Sequence, residues 1–401
     1  MKSFLCVFFS GVMLAAQLAC GGGGSGTQPP GVQPAPVSSL IIAGQMLSPR
    51  HSHTATTLLD GRILMAGGNS TTSVSSFDYL GSAETFNPST KQSMALPTMY
   101  LARSTHTSTR IPNGRVYMFG GTVDSRLTHV EYFDPALNDF VLAGHTFTVR
   151  WEHTATLLQD GKIFLAGGSG DQNYTCEVFD PSSNTTETVG WLHTQVRSSV
   201  TNRSLMTSHL LSDGSVILLG GFGSREDTPY LAPVGIVEVY DPLLKRITVA
   251  TPLMTPRYSH ASTLLPDGRI LVIGGVGFDG ISRSSLNTTE LYDPRNGTVT
   301  PGPLLSVARH NFRATPLPDG RVYISGGESS QINLQTGTLR AKNVTVDEIF
   351  DPATNRFSLV QGSAPPRFFH ATVLSNDGIF YSIGGLGEGG ARTEILKFDI
   401  K

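Results

Sequence analysis

The sequence is poor in charge and poor in cysteine. Only 15% of its 401 residues are charged, and 29 basic residues are balanced by 31 acidic ones, whereas an average soluble domain carries about 25% charge. Because there is no basic excess, the composition argues against a nucleic-acid-binding protein. With three cysteines in the chain, a disulfide-stapled scaffold is excluded as well.

A sustained helical period is also missing from the sequence, which argues against a helical domain. Glycine, in contrast, is abundant, with 44 residues spread along the chain rather than confined to one block. Glycines distributed in this way between short apolar runs predict many tight turns. The composition therefore favours a large β-structured chain.

The N-terminus has the pattern of an export signal. Lys2 precedes an apolar run over residues 4–18, and small residues lead to Cys20, so residues 1–20 are predicted to be a signal peptide. A cysteine directly after Leu18-Ala19 resembles the lipobox of bacterial lipoproteins, in which this cysteine carries the lipid anchor. Gln17 departs from that motif, and ordinary cleavage with release of a soluble protein is the alternative.

Residues 21–37 are rich in Gly and Pro and contain little that a core would bury. We interpret them as a linker between the anchor and a folded domain. The predicted location is the bacterial cell envelope, either lipid-anchored through Cys20 or periplasmic or secreted, with no other membrane contact. Cys176 then remains as a single thiol, and we expect it to be a small buried apolar residue.

Seven adjacent glycine pairs recur through the remaining sequence. They divide residues 38–401 into units of about 52 residues, a period typical of propeller arrays. The pairs are 67/68, 120/121, 167/168, 220/221, 274/275, 326/327 and 384/385.

Each unit repeats one order of residues. An arginine comes first; Asp-Gly or Asn-Gly follows ten residues later and is suited to a tight hairpin turn. An apolar run then leads to the glycine pair, and Glu, an apolar residue, an aromatic residue and Asp/Asn-Pro come after a variable loop. This order predicts four short antiparallel strands, a to d from the inside outward. The seven arginines are Arg50, Arg103, Arg150, Arg203, Arg257, Arg309 and Arg367.

These features resemble the kelch repeat, including the repeats in the central domain of galactose oxidase, although the usual tryptophan of the fourth strand does not recur from unit to unit. The resemblance implies an all-β fold for residues 38–401, a seven-bladed kelch-type β-propeller with four antiparallel strands per blade. The chain ends in a third strand, Phe398-Asp399-Ile400, and residues 39–44 read as a fourth strand. The N-terminal strand is therefore predicted to close the last blade.

Motifs that carry catalytic chemistry are weak in this sequence. Two matches to G-x-G-x-x-G have no helix after them, so neither predicts a dinucleotide site. Copper-radical chemistry of the galactose oxidase kind needs a Tyr-Cys cross-link, for which Cys176 is the one candidate. The sequence thus predicts no metal and no cofactor. Five histidines at one repeat position indicate packing between sheets: His53, His106, His153, His260 and His370.

The variable loops between strands b and c vary most in length and share one face of the predicted ring. Long loops on a rigid scaffold are common binding sites, and the loops 222–237 and 276–289 are long and carry polar and aromatic side chains. The candidate ligand-binding residues are Arg225, Glu226, Asp227, Tyr230, Phe278, Asp279 and Arg283.

The leading interpretation is a monomeric binding or scaffold module whose partner is a protein or a glycan. One alternative is a carbohydrate-active enzyme, for which a sugar mutarotase or epimerase is a better model than a galactose oxidase. The other alternative is a purely structural surface protein.

The seven arginines allow two interpretations. A glutamate starts strand c in each unit: Glu84, Glu131, Glu177, Glu238, Glu290, Glu348 and Glu394. We predict that each arginine pairs with such a carboxylate across the glycine pair, because side-chain-free glycines leave a trough there. A ring of unpaired arginines that binds an anionic ligand is the alternative.

Overall fold

The computed structural model describes residues 40–71, 78–122, 127–170, 174–193, 203–225, 228–362 and 364–398. The predicted signal peptide, Cys20 and the linker lie outside these residues. The described chain consists of strands joined by turns and loops, without a helix. The predicted all-β class is therefore confirmed.

The first half of the described chain contains nineteen strands. In chain order they are β1 Leu40–Gln45, β2 Thr54–Thr57, β3 Ile63–Ala66, β4 Ala83–Asn87, β5 Gln92–Ala95, β6 Thr107–Arg110, β7 Val116–Phe119, β8 His129–Asp134, β9 Asp139–His145, β10 Thr154–Leu157, β11 Ile163–Ala166, β12 Thr175–Asp180, β13 Thr185–Trp191, β14 Arg203–Ser204, β15 Thr207–Leu210, β16 Val216–Leu219, β17 Phe222–Arg225, β18 Thr228–Pro233 and β19 Val237–Asp241.

The second half of the described chain contains eighteen. They are β20 Arg246–Ala250, β21 Ala261–Leu264, β22 Ile270–Ile273, β23 Val276–Phe278, β24 Ser282–Ser285, β25 Thr289–Asp293, β26 Thr298–Pro301, β27 Arg313–Pro316, β28 Val322–Ser325, β29 Glu328–Asn333, β30 Leu339–Asn343, β31 Glu348–Asp351, β32 Arg356–Leu359, β33 Ala371–Leu374, β34 Phe380–Ile383, β35 Leu386–Gly387, β36 Gly390–Ala391 and β37 Glu394–Phe398.

Seven four-stranded antiparallel sheets, numbered here in chain order, follow the predicted repeat. Their strand orders, from strand a to strand d, are β2-β3-β4-β5, β6-β7-β8-β9, β10-β11-β12-β13, β15-β16-β19-β20, β21-β22-β25-β26, β27-β28-β31-β32 and β33-β34-β37-β1. The strands a of neighbouring sheets contact one another, and the first contacts the seventh. This cyclic order is the arrangement of a β-propeller.

The core lies between the sheets. Strand b of every sheet is buried along its whole length, because its two faces pack against two different neighbours. In sheet 1, Leu64 packs toward Phe133 of sheet 2, while Ile63 and Met65 pack toward Tyr381 of sheet 7. A strand buried on both faces needs a continuous apolar run, which explains the run that precedes each glycine pair.

The N-terminal strand completes sheet 7 as predicted. Strand β1 pairs antiparallel with β37, with Ile42 opposite Leu396. Ala43 and Met46 then pack into the cluster between sheets 7 and 1. The two ends of the domain are thus held in one sheet, and the C-terminal strand is not an open edge.

Four of the loops between strands b and c contain strands that the sequence analysis did not predict, and the smallest of these additions is the two-stranded hairpin β35–β36 in sheet 7. Hairpin β17–β18 pairs with the short strand β14, and hairpins β23–β24 and β29–β30 join into one four-stranded sheet. These segments have mixed polar sequences without clear alternation, so their pairing depends on tertiary contacts rather than on a local pattern.

Within the part of the chain that the structure describes, no helix is long and apolar enough to cross a membrane.

We expect deletion of residues 38–49 to lower Tm by at least about 5 °C, because it removes β1 and exposes the apolar edge of β37. The measurement is thermal unfolding followed by circular dichroism. Deletion of residues 21–37, the predicted linker, is the matched control and should leave Tm unchanged. A 38–49 deletion that melts with the full-length protein would show that β1 does not hold the ring together.

Candidate functional site

The seven repeat arginines lie where strand d of one sheet leads into strand a of the next. All are buried. Each donates from its guanidinium to the carbonyl oxygen of the first glycine of its own sheet's pair, over 2.7 to 3.1 Å. The guanidinium therefore lies in the trough that the glycines leave open.

Six of the arginines also pair with the predicted glutamate of strand c, which is buried as well. The pairs are Arg50–Glu84 (2.9 Å), Arg103–Glu131 (2.5 Å), Arg150–Glu177 (2.5 Å), Arg257–Glu290 (2.7 Å), Arg309–Glu348 (2.7 Å) and Arg203–Glu238. Burial lowers the pKa of Arg257, and the charge and hydrogen bond of Glu290 oppose that shift. The pairing interpretation, rather than a ring of free arginines, describes these six sheets.

The glutamates hold the incoming chain as well as the arginine. Glu84 accepts the backbone N–H of Leu47 at 2.6 Å, and Glu290 accepts those of Met254 and Thr255 at 2.7 and 3.0 Å. These amides belong to the link that leads to the arginine. One carboxylate thus satisfies a buried cation and fixes the path by which the chain enters its sheet.

The seventh pair is absent, and the prediction for Glu394 is wrong. Glu394 contacts Arg392 at 3.5 Å instead. Arg367 keeps its bond to the carbonyl of Gly384, but its Nη2 is buried without a hydrogen-bond partner among the described residues. Burial lowers the pKa of Arg367 to about 10, with the charge of Arg392 adding to that effect and Glu394 opposing it. A second arginine two residues before the glutamate has displaced the repeat contact.

Neighbouring sheets are joined through the arginine backbone. The second glycine of each pair donates its N–H to the arginine carbonyl of the next sheet, from Gly68 to Arg103 (2.8 Å) around to Gly385 and Arg50 (3.0 Å). Gly67 shows why a side chain is excluded here: its φ is +62°, and a Cβ would lie 2.5 Å from the carbonyl oxygen of Arg103. The glycine pair is thus required by the close approach of two sheets.

A second ring surrounds the axis itself. The residue two positions after each arginine has a φ between 50° and 56°. Each donates its N–H to the carbonyl of its counterpart in the preceding sheet, over 2.9 to 3.3 Å, and the ring closes from Ser52 to Phe369. We call these residues the axial ring: Ser52, Thr105, Glu152, Leu205, Ser259, Asn311 and Phe369. The sequence analysis missed this ring, although its position is constant after the arginine.

The axial ring and its neighbours bring several titratable groups to the mouth of the central channel. Burial raises the pKa of Glu152 to about 7, although a 3.4 Å bond from the Ser169 hydroxyl opposes this. Asn311 donates to Glu328 at 2.9 Å, and His310 lies 3.2 Å from the same oxygen. Burial acts to raise the pKa of Glu328, but the hydrogen bonds from His310 and Asn311 outweigh it and lower that pKa.

The hairpins of sheets 4, 5 and 6 stand beside this mouth. We call β17–β18, β23–β24 and β29–β30 the hairpin wall. Ser285 of β24 accepts the N–H of Ser330 at 2.8 Å and bonds to His310 at 2.9 Å, which ties the wall to the axial mouth. The wall is continuous because β18 contacts β23 and β24 pairs with β29.

The predicted binding residues have different roles in this wall. Arg283 lies with its guanidinium 5.0 Å from the ring centre of Phe222 and donates to the carbonyl of Leu231, so it joins two hairpins. Asp279 accepts the backbone N–H groups of Ile281 and Ser282 and caps the tip of β23–β24. Phe278 is 39% exposed at that tip.

The other candidates fall partly outside the described structure. The backbone of Arg225 lies in β17 and that of Tyr230 in β18. Asp227, Glu226 and Cys20 lie outside the described residues.

The five repeat histidines are buried and lie between sheets. His106 bonds to Thr54 of the preceding sheet at 3.0 Å, and His153 to Thr107 at 2.9 Å. Burial and nearby arginines lower the pKa of His106 well below its usual value. No three His, Cys, Asp or Glu residues in the described ranges are grouped so that they could hold a metal ion.

Cys176 does not fit the copper-radical chemistry that the galactose oxidase resemblance raises. It is buried in the apolar cluster between sheets 3 and 4, on strand β12 rather than at the axial mouth. Burial raises the pKa of its thiol, which disfavours the reactive thiolate. The residue packs as a small apolar group.

The fold and the repeated site define a β-propeller, and the comparisons with known proteins find a similarity to kelch repeats in part of it. Residues 257–303 match the family pattern of the kelch motif. A kelch repeat and BTB domain-containing protein 12 from Danio rerio is 30% identical over 165 residues, which is 38% of this chain and 25% of the relative. The chain therefore spans about a quarter of that relative, and the match supports kelch repeats alone.

A solved structure shares the fold. A novel fungal alcohol oxidase of the AA5 family, in complex with copper, superposes with a TM-score of 0.70 over 92% of this chain and 76% of its own. The sequence identity is 19%, so this likeness concerns the fold alone.

The pairs between Arg and Glu can be tested in sheet 5. We expect Glu290→Gln to lower the free energy of unfolding by about 3–5 kcal/mol, because it leaves a buried guanidinium without its carboxylate. Arg257→Met should have an effect of similar size, and the double variant should lose less than the sum of the two. Urea unfolding of the four proteins measures this coupling.

Arg392→Met is the matched control, because Arg392 is partly exposed and contacts its glutamate at 3.5 Å. Arg392→Met should lower the free energy of unfolding by less than about 1 kcal/mol. Additive effects of Glu290→Gln and Arg257→Met would contradict a stabilising pair.

Proposed function

We propose that this protein is a binding or scaffold module of the cell envelope, which holds a protein or a glycan on the face formed by the loops between strands b and c. The observation that carries the proposal is the difference between the two faces. One face has short, uniform turns, with Asp-Gly or Asn-Gly between strands a and b of all seven sheets and Asp-Pro or Asn-Pro between strands c and d of the first six. The other face carries loops of unequal length, and the hairpin wall of sheets 4, 5 and 6 stands there beside the axial mouth. Rigid rings with unequal loops on one face are common binding surfaces.

Kelch repeats in other proteins commonly mediate protein interactions, which supports a protein partner for this chain. The hairpin wall also presents side chains that could contact such a partner. Phe278 presents an aromatic ring at the tip of β23–β24, where interface anchors are often found. Arg283 and Ser285 also link the hairpins of the wall to one another and to the mouth. A preorganised surface loses less conformational freedom on binding.

The proposal predicts that Phe278→Asp abolishes capture of the partner by the immobilised protein. The partner is sought on a glycan array and in a cell-envelope extract. Leu243→Asp is the matched control, because Leu243 is 91% exposed in the Asp-Pro turn on the opposite face. If Leu243→Asp loses binding and Phe278→Asp keeps it, the partner uses the other face and the proposal fails.

A carbohydrate-active enzyme is the second candidate, and Glu152 is the observation that favours it. A carboxyl group with a pKa of about 7 at the axial mouth is suited to general acid-base chemistry near neutral pH. A mutarotase of the kelch type would need only a few such acid-base groups. Direct assay of sugar anomer interconversion by the wild-type protein distinguishes this candidate from a module that only binds.

The cell-envelope location is part of the proposal, and Cys20 is the residue that would carry the lipid anchor. We expect Cys20→Ser to move the protein from the membrane fraction to the soluble fraction and to remove metabolic fatty-acid label. Cys176→Ser is the control, because that thiol is buried in the domain core, and it should stay with the membrane. Membrane association that survives Cys20→Ser would point to a different anchor.

A further inference from the structure

The first residue of strand a is neutral and small in six of the seven sheets, and in sheet 6 it is Arg313. The six equivalents are Thr54, Thr107, Thr154, Thr207, Ala261 and Ala371. Three of the threonines bond to the histidine of the following sheet. Arg313 therefore places a charge at a position where the repeat otherwise uses a hydroxyl or a methyl group.

Arg313 reaches from sheet 6 along the inner edge of the ring. Its Nε donates to the carbonyl of His370 in sheet 7 at 3.0 Å. Its positive charge contributes, after burial and the charges of Arg50 and His51, to the lowered pKa of His53 in sheet 1. Because the charge of Arg313 in sheet 6 affects a histidine in sheet 1, the guanidinium lies near the axis of the ring. The equivalent residue of sheet 7 is Ala371, whose small side chain leaves space for it.

The guanidinium is accessible to solvent and yet enclosed. Arg313 is an exposed residue, while burial lowers the pKa of its guanidinium and no carboxylate of the described residues raises that pKa. Both observations hold for a side chain that borders a water-accessible channel. In the part of the chain that the structure describes, neither Nη atom has a hydrogen bond or an ion pair.

Arginines outnumber carboxylates around Arg313. Arg367, in the neighbouring sheet, lacks the carboxylate that every other repeat arginine has, because Glu394 contacts Arg392. Both Arg313 and Arg367 act on the pKa of His370, which burial already lowers well below its usual value. Asp347 and Glu394 act on the pKa of Arg367 in the opposite sense to burial. The three arginines Arg313, Arg367 and Arg392 still outnumber these two carboxylates, and enclosure strengthens their field.

We propose that the axial channel binds an oxyanion at Arg313, either free phosphate or the carboxylate of an acidic sugar. Two free Nη groups in a planar fork match the two oxygens of such an anion. The hydroxyl pair Thr315–Thr372, 2.9 Å apart on the same two sheets, provides further polar partners below it. This site goes beyond the binding role proposed above and does not depend on it, because it lies in the channel and not on the hairpin wall.

The test compares wild type with Arg313→Thr by isothermal titration with inorganic phosphate, with chloride used to match ionic strength. Threonine occupies the equivalent position in four other sheets, so this variant is expected to fold. We expect the wild type to bind phosphate or glucuronate, and Arg313→Thr to bind at least tenfold more weakly. Arg313→Lys, which keeps the charge and loses the fork, should bind with intermediate affinity. Arg269→Thr, on the Asp-Gly turn of sheet 5, is the matched control and should bind as the wild type does.

The two ligands identify the source of the oxyanion. Tighter binding of glucuronate than of phosphate, with glucose not competing, assigns a sugar carboxylate, and the reverse order assigns free phosphate. Phe278→Asp should leave either affinity unchanged, which separates this site from the wall. The proposal is overturned if the wild type binds neither anion, or if Arg313→Thr binds them as tightly as the wild type.

Discussion

The structure depends on a buried arginine at each junction between two sheets. Its guanidinium holds the glycine carbonyl and, in six sheets, the glutamate of its own sheet, while its carbonyl accepts the glycine N–H of the preceding one. A buried ion pair contributes little stability relative to an apolar replacement, but losing one partner is costly. The contact therefore acts mainly to select one geometry. Because each arginine needs both neighbouring sheets, no sheet satisfies its polar groups alone.

This constraint explains the glycine pair and the axial ring together. The arginine carbonyl approaches the glycines of the preceding sheet so closely that a Cβ has no room. Two residues later the chain turns through a positive φ, and the N–H of that same residue donates to its counterpart in the preceding sheet. Seven such steps close on themselves between Ser52 and Phe369. The central mouth is consequently built from backbone, so that its side chains are free to differ from sheet to sheet.

Much of the fold was predictable because it repeats. Seven copies of one residue order predict strands, turns and the Arg–Glu contact more securely than any single copy would. The hairpin wall was not predictable, because its strands pair across sheets and lack a local apolar alternation. The contact of Glu394 was predicted wrongly because Arg392 competes for the same carboxylate, and such competition depends on distance in space. Arg283 and Asp279 lie in the expected loop but support its shape, a role that polarity alone does not reveal.

The residues that depart from the repeat are the best guide to function in such a protein. A position that is equivalent in every sheet experiences nearly the same backbone and the same neighbours, so the requirements of the fold are the same at each copy. Thr54 and Ala371 show that the first position of strand a needs no charge. Arg313 donates from Nε to sheet 7, but its charge and its two Nη groups serve something other than the ring. The same argument applies to Glu152 in the axial ring, where six counterparts carry no charge. Enclosing either group opposes its charged form, and a fold that needed neither would be more stable without them.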